Sequence, residues 1–153
     1  MAKVIVIYES KFGNTKLAAE TIIDGMKRIP GIEAFLSEPK AVDQSKLANF
    51  DAIVIGSPTH IGSATRGIHK FVGNLGKLGL DGKLVAIFDL HMGLETGRVV
   101  GKLEKQIAEK AHGLKIAVPG LSIRVDGMKG PITEGELPKC REFGEEIATQ
   151  LQS

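Results

Sequence analysis

Short apolar runs alternate along this chain with amphipathic stretches of helical spacing. Three runs, at residues 4–7, 52–55 and 84–88, are continuous and rich in β-branched side chains. Such runs are typical of central strands in a parallel sheet that helices cover on both faces. The segments at residues 32–36 and 121–125 alternate apolar with other side chains only in part, which predicts strands at the edges of the sheet.

Apolar side chains also recur at helical spacing in four stretches, within residues 18–29, 68–75, 100–111 and 140–151. Strands that alternate with such helices form βαβ units. Because the continuous runs come first, third and fourth along the chain, we predict an α/β fold with helices on both faces of the sheet. The predicted sheet is doubly wound, parallel and five-stranded, with the strand order 2-1-3-4-5.

The start of the last helix is ambiguous in the sequence. Thr133 and Glu136 match a capping box, which places the N-terminus of a helix at Thr133. Pro138 indicates a later start, because proline is tolerated in the first turn of a helix but not in its interior. Cys140 lies on the apolar face of this helix and is predicted to belong to the core rather than to act as a nucleophile.

The composition fits one domain over residues 1–153. Hydrophobic residues make up 42% of the chain and charged residues 25%, which excludes a disordered tail. The aliphatic runs are too short for a membrane span or a signal peptide, and a single cysteine excludes an intramolecular disulfide, so we expect a cytoplasmic protein. A net charge of +2, spread without a cationic block, does not indicate a nucleic-acid partner.

The loop after the first strand has the composition of a phosphate site. In a doubly wound sheet, ligands bind outside the carboxyl ends of the strands where the order reverses, here between the first and third strands. Short polar side chains, a glycine and the start of a helix meet in this loop, which consists of Ser10, Lys11, Phe12, Gly13, Asn14 and Thr15. An ordinary N-capped turn has the same composition, so both interpretations remain open.

The sequence lacks the motifs that bind certain phosphate-containing ligands, which limits the kinds of ligand that this loop could bind. There is no G-x-G-x-x-G, and the Gly-Lys pairs at residues 82–83 and 101–102 lack the spacing of a P-loop. A dinucleotide or ATP site is therefore disfavoured. A compact loop with one adjacent cation, Lys11, suits a single terminal phosphate monoester.

Two further loops are expected at the same rim of the sheet. After the third strand come Ser57, Pro58, Thr59, His60, Ile61 and Gly62, and after the fourth come Asp89, Leu90, His91, Met92 and Gly93. Because parallel strands end at the same edge, we expect the three loops to converge. Together they could hold a planar ligand by its phosphate at one end.

These loops resemble those of the flavodoxin family. Residues 10–15 are similar to the family's phosphate loop, and residues 56–60 resemble its second flavin loop, particularly as it occurs in the FMN modules of flavodiiron proteins. The similarity extends to the last helix and so covers essentially the whole chain. It implies a non-covalent FMN, with its phosphate on residues 10–15 and its isoalloxazine ring between residues 57–62 and 89–93. It also implies one-electron transfer between redox partner proteins, and we expect the protein to be a monomer rather than an oligomer.

The chain departs from the family pattern in its aromatic residues and its charge. Flavodoxins commonly place the ring between a tryptophan and a tyrosine, whereas this chain has no tryptophan and its one tyrosine, Tyr8, ends the first strand. The residues expected at the ring are His60 or Ile61 on one face and Leu90, His91 or Met92 on the other. Flavodoxins are usually acidic, and the pI near 8.7 found here suggests acidic redox partners.

An NAD(P)H-dependent FMN reductase or quinone oxidoreductase is the main alternative function. Such enzymes usually carry inserted loops, for which 153 residues leave no room, so an electron carrier is favoured. Steady-state oxidation of NADH or NADPH separates the two functions.

Other functions would depend on a few individual residues. His60, His91 and Asp89 could come together as a metal site, but their spacing matches no metal-binding motif, so we expect them to be polar residues near a ligand. A response regulator is excluded because no aspartate ends the third strand. His69 and His112 are expected at the surface.

Overall fold

The chain alternates strands and helices as the hydrophobic pattern predicts. The computed structural model describes residues 1–152. Its strands are Ala2–Tyr8 (β1), Ile32–Ser37 (β2), Ala52–Pro58 (β3), Leu84–His91 (β4), Lys115–Ile116 (β5) and Leu121–Arg124 (β6). Its helices are Asn14–Met26 (α1), Arg66–Asn74 (α2), Arg98–Lys110 (α3) and Leu137–Gln152 (α4). Short 3-10 segments span Gln44–Asn49 and Leu75–Lys77.

The strand β1 lies in the interior of the sheet. It pairs in parallel with β2 on one side and β3 on the other, so that Val4 lies beside both Ala34 and Ala52. Since β3 pairs in turn with β4, the order is β2-β1-β3-β4-β5. The predicted order 2-1-3-4-5 is confirmed, and the switch point falls between β1 and β3.

The fifth position of the sheet is filled by two short strands rather than one. Both pair with β4, β5 near its start and β6 near its end. The interruption contains Pro119, which has no N–H to donate to a ladder, and Gly120, where an added Cβ would lie 2.2 Å from Val100 Cγ1. The predicted strand at residues 121–125 therefore matches β6, whereas β5 was not predicted because two residues show no periodicity.

The four predicted helices are confirmed, with shifts at their ends. α1 ends at Met26 and α2 at Asn74, slightly before the ends of the apolar stretches that predicted them. α4 begins at Leu137, well after the capping-box match at Thr133, and Pro138 lies in its first turn, as the fixed φ of proline allows. None of the helices within residues 1–152 is both long enough and apolar enough to cross a membrane.

Helices cover both faces of the sheet and enclose two apolar layers. Side chains alternate along β1, so Val4 and Val6 pack with α1 and α4, whereas Ile5 and Ile7 pack with α2 and α3. Cys140 is buried in the first layer, as predicted, and its burial raises the pKa of the thiol to about 12. The thiol is therefore protonated at neutral pH and is a packing residue.

The helices α1 and α4 touch backbone to backbone. A Cβ at Gly25 would lie 1.9 Å from the carbonyl oxygen of Arg141, and a Cβ at Gly144 would lie 1.9 Å from the carbonyl oxygen of Ile22. No side chain fits at either distance, so the close approach requires glycine at both positions. This contact fixes α1 on the sheet and, with it, the N-terminus that α1 presents at the carboxyl edge.

We expect Gly144→Ala to lower the free energy of unfolding by about 1–3 kcal/mol, because its methyl group forces α4 away from α1. Gly101→Ala is the matched control, since Gly101 lies on the exposed side of α3 with open space around an added Cβ. That substitution should raise the free energy of unfolding by about 0.5–1 kcal/mol, since alanine favours a helix interior. Urea unfolding measures both, and equal effects would contradict the close helix contact.

Candidate functional site

A cleft of about 640 Å³ opens at the carboxyl ends of β1, β3 and β4. This volume falls within the range of roughly 300–1,000 Å³ that is typical of small-molecule sites. The three predicted loops converge on the cleft, and the segment after β6 adds a further wall. The lining residues are Ser10, Lys11, Phe12, Asn14, Thr15, Pro58, Thr59, His60, Ile61, Leu90, His91, Met92, Leu94, Glu95, Val125 and Met128.

One end of the cleft is formed by the start of α1. Gly13 precedes the helix with a φ of 92°, a left-handed conformation that favours glycine, and no side chain caps the helix. Gly13 N–H donates to Ser10 Oγ at 3.0 Å, which turns the loop back on itself. The backbone N–H groups of residues 14–16 have no partner within residues 1–152, and the first turn contains no acidic residue. Free N–H donors at a helix start, beside the buried side chain of Thr15, are an arrangement suited to bind an anion.

Two ammonium groups add positive charge at this end. Lys11 Nζ lies 5.5 Å from the ring centroid of Phe12, and Lys129 Nζ lies 5.9 Å from the same centroid. Phe12 is exposed, so both cations lie near its ring at the rim of the cleft. The sequence predicted Lys11 at this position. It did not predict Lys129, which belongs to a turn far from Lys11 along the chain.

The loop after β3 is held by its backbone. Thr59 donates to the carbonyl oxygen of Leu90 from both N (3.0 Å) and Oγ1 (2.8 Å), which joins the ends of β3 and β4. His60 and Ser63 then exchange two backbone hydrogen bonds, of 2.8 and 3.1 Å, around a two-residue turn. At its tip, Ile61 and Gly62 have φ values of 51° and 76°. A type I′ turn requires such values at both positions, although they are unfavourable for a β-branched residue such as Ile61.

The loop after β4 places an imidazole in the wall of the cleft. His91 is buried, and its Nδ1 accepts a hydrogen bond from Gly93 N–H at 2.9 Å. This bond leaves Nε2 as the protonated nitrogen of the neutral ring. Met92 and Leu94 follow at the mouth of the cleft and are exposed.

Asp89 and Ser57 are fully buried and do not line the cleft. Asp89 Oδ2 accepts the N–H of Val100 at 2.9 Å, and its Oδ1 accepts the hydroxyl of Ser122 at 2.5 Å. Burial raises the pKa of the Asp89 carboxyl, and these two hydrogen bonds offset part of that effect. Ser57 Oγ accepts Thr65 N–H at 3.0 Å, at the start of α2. Both side chains therefore fix helix starts behind the cleft.

The structure brings most of the predicted site residues to the cleft. Those that do not line it are Gly13, Ser57, Gly62, Asp89 and Gly93, which shape or support the loops instead. The role of each of these residues in binding a ligand stays a prediction. Within residues 1–152, no three His, Cys, Asp or Glu side chains come close enough to hold a metal ion. His69 and His112 are exposed, as predicted.

The lining also contains residues that the sequence did not predict, namely Leu94, Glu95, Val125 and Met128. The last two belong to a turn at residues 125–132, whose two ends are joined by an antiparallel bridge between Val125 and Ile132. The turn packs on the first loop, since a Cβ at Gly130 would lie only 2.5 Å from Asn14 Nδ2. One signal could have revealed it: Met128 lies between Gly127 and Gly130, shortly after a strand that ends at the same edge of the sheet as the others.

Comparison with known protein families agrees with this architecture. Residues 5–119 match the family described as a flavodoxin domain. Over 157 aligned residues, the chain is 27% identical to a flavodoxin of Clostridium saccharobutylicum, and the alignment covers 98% of each chain. The matched region includes the three loops that meet at the cleft.

Solved structures share the fold over nearly the whole chain. A flavodoxin from the domain Archaea has a TM-score of 0.83 and 26% sequence identity, with 99% of each chain covered. The rubredoxin oxygen:oxidoreductase of the anaerobe Desulfovibrio gigas has a TM-score of 0.80 and 19% identity, and the match covers 98% of this chain and 36% of that one. At so low an identity, the second similarity shows the fold alone.

Proposed function

The chain belongs to the flavodoxin family, as its loops predict, and on that premise we propose that it binds one FMN in the cleft and passes single electrons between redox partner proteins. The observation that carries the proposal is the uncapped start of α1, whose free N–H groups open into a cleft large enough for a planar ring. A bound FMN would supply the redox chemistry, and the protein would supply its position and electrostatics.

The donor set at the start of α1 fits a phosphate monoester. Backbone N–H groups of residues 14–16 and the side chains of Ser10 and Thr15 supply neutral donors, while the ammonium groups of Lys11 and Lys129 balance the charge of a dianion. No glycine-rich dinucleotide cradle accompanies this loop in the sequence. FMN is therefore favoured over FAD and over nicotinamide dinucleotides.

The remainder of the cleft fits an isoalloxazine ring without an aromatic sandwich. Its apolar lining consists of aliphatic and thioether side chains from Pro58, Ile61, Leu90, Met92, Leu94, Val125 and Met128. Thioethers make favourable contacts with aromatic rings, so the two methionines partly replace the missing tryptophan and tyrosine. The imidazoles that line the cleft are those of His60 and His91.

A redox partner with an acidic face would fit the mouth of the cleft. Exposed apolar side chains surround the opening, and such clusters mark protein interaction sites; they are Phe12, Ile61, Met92, Leu94 and Met128. Cations flank them: Lys11 and Lys129 lie on Phe12, and the Arg124 guanidinium lies 3.4 Å from where a Cβ of Gly93 would be. This pattern predicts electrostatic attraction of an anionic partner.

We expect the protein to bind FMN at least tenfold more tightly than riboflavin, because only FMN carries the phosphate. Thr15→Ala should weaken FMN binding by about 1–3 kcal/mol and leave riboflavin binding unchanged, while Thr15→Ser should retain most of the affinity. Thr149→Ala, an exposed position on α4, is the control. Isothermal titration calorimetry measures all four proteins. Equal affinities for FMN and riboflavin in the native protein would refute the phosphate assignment.

Charge reversal at the rim tests the partner surface. With FMN bound and reduced, Lys129→Glu should slow oxidation by ferricyanide about threefold to tenfold at low ionic strength, because the acceptor is an anion. Lys46→Glu changes the net charge equally but lies in the segment before β3, at the opposite edge of the sheet. Stopped-flow measurement should show a much smaller effect for that control. If both substitutions slow the reaction equally, the rim has no special role.

A further inference from the structure

The carbonyl group of Gly62 is held by a lysine from outside the cleft. Lys102 Nζ, on α3, donates to the Gly62 oxygen at 2.7 Å and to Ser63 Oγ at 3.3 Å. Gly62 belongs to the turn at residues 60–63, which stands at the mouth of the cleft, whereas Lys102 does not line the cleft. The hydrogen bond therefore draws this carbonyl towards α3 and away from a ligand.

Other charged side chains of the same region support the turn from behind. Arg98 Nη1 lies 3.1 Å, and Glu95 Oε1 3.6 Å, from where a Cβ of Gly62 would be. Arg98 and Glu95 also form an ion pair at 3.4 Å. The turn thus rests on side chains from α3 and from the segment before it, and among them Lys102 donates to the backbone of the turn.

The turn needs such support because its conformation is intrinsically unfavourable. Ile61 has a φ of 51° and a fully exposed side chain, so no packing of that side chain compensates for the strain. Glycine accepts either orientation of its peptide group at little cost. The orientation of the peptide between Gly62 and Ser63 is therefore decided by its hydrogen bonds, chiefly the charged one from Lys102.

We propose that Lys102 is a positioning residue that keeps the Gly62 carbonyl turned away from the bound ring and thereby tunes the ring's redox potential. The proposal rests on the proposed function, because the ring is that of FMN. If FMN is bound, uptake of one electron and one proton would give its ring a new N–H donor, which would gain from a nearby hydrogen-bond acceptor of the protein. A carbonyl engaged by an ammonium group is a poor acceptor, so Lys102 disfavours reduction relative to a free turn.

The direction in which the redox potential changes when Lys102 is replaced distinguishes the release of the carbonyl from the loss of a positive charge. Loss of a cation near the ring should make reduction less favourable and the potential more negative. Release of the carbonyl should make the potential less negative. Lys105→Met removes the same charge from an exposed position on the same helix. Because Lys105 has no hydrogen bond to the turn, that variant reports the charge effect alone.

The test compares native protein with Lys102→Met, Lys102→Arg and Lys105→Met, each loaded with FMN. Potentiometry should show that the equilibrium constant for uptake of the first electron is about tenfold larger in Lys102→Met than in Lys105→Met. The midpoint potential of Lys102→Met is then less negative by ~59 mV. Amide exchange at Ser63, whose N–H donates to the His60 carbonyl, should accelerate about tenfold in Lys102→Met, since a charged hydrogen bond is lost. Lys102→Arg keeps a donor and should behave like the native protein.

A potential for Lys102→Met that equals or lies below that of Lys105→Met would overturn the proposal, as would unchanged exchange at Ser63. Lys102 and Lys105 are exposed, and methionine and arginine are good helix formers, so all three variants should fold. Failure of the native protein to bind FMN would instead refute the proposed function. The exchange measurement on ligand-free protein would then still decide whether Lys102 fixes the turn.

Discussion

Pairing of β1 with both β2 and β3 brings the loop after β1 beside the loops after β3 and β4. The N-terminus of α1 follows directly from the first of these loops, so its free N–H groups must open at the same edge. The backbone contact of Gly25 and Gly144 between α1 and α4 then fixes the direction of that helix. The uncapped helix start at the cleft is thus a consequence of strand order and of one close helix contact, with few specialised side chains.

Polar residues near the cleft divide into two groups with different tasks. Asp89 and Ser57 are buried and hold the starts of α3 and α2, so they fix the walls from behind. Thr15 and His91 lie in the wall itself, where a ligand can reach them. Lys102 connects the two groups, because it belongs to α3 yet holds a backbone carbonyl at the mouth. The end of the cleft at the start of α1 therefore rests on regular secondary structure, while its other end depends on a strained turn.

The sequence predicted the parts of the molecule that repeat a strong local pattern. Long apolar runs identified β1, β3 and β4, and their order in the chain gave the topology and the three loops. Features that depend on tertiary packing were not predicted from the sequence. The alternation of a strand does not show that Asp89 turns towards α3, and the two residues of β5 carry no periodicity. Lys129 reaches Phe12 only because the turn at residues 125–132 packs on the first loop.

Binding of one FMN per chain is the central expectation, and the absorption spectrum of freshly purified protein tests it most directly. The protein, as isolated or after incubation with FMN, should show the visible bands of an oxidised flavin at a ratio of one flavin per chain. The pigment released on denaturation should be FMN rather than FAD or riboflavin. A protein that stays colourless after incubation with FMN, or that takes up FAD equally well, would contradict the assignment of the cleft.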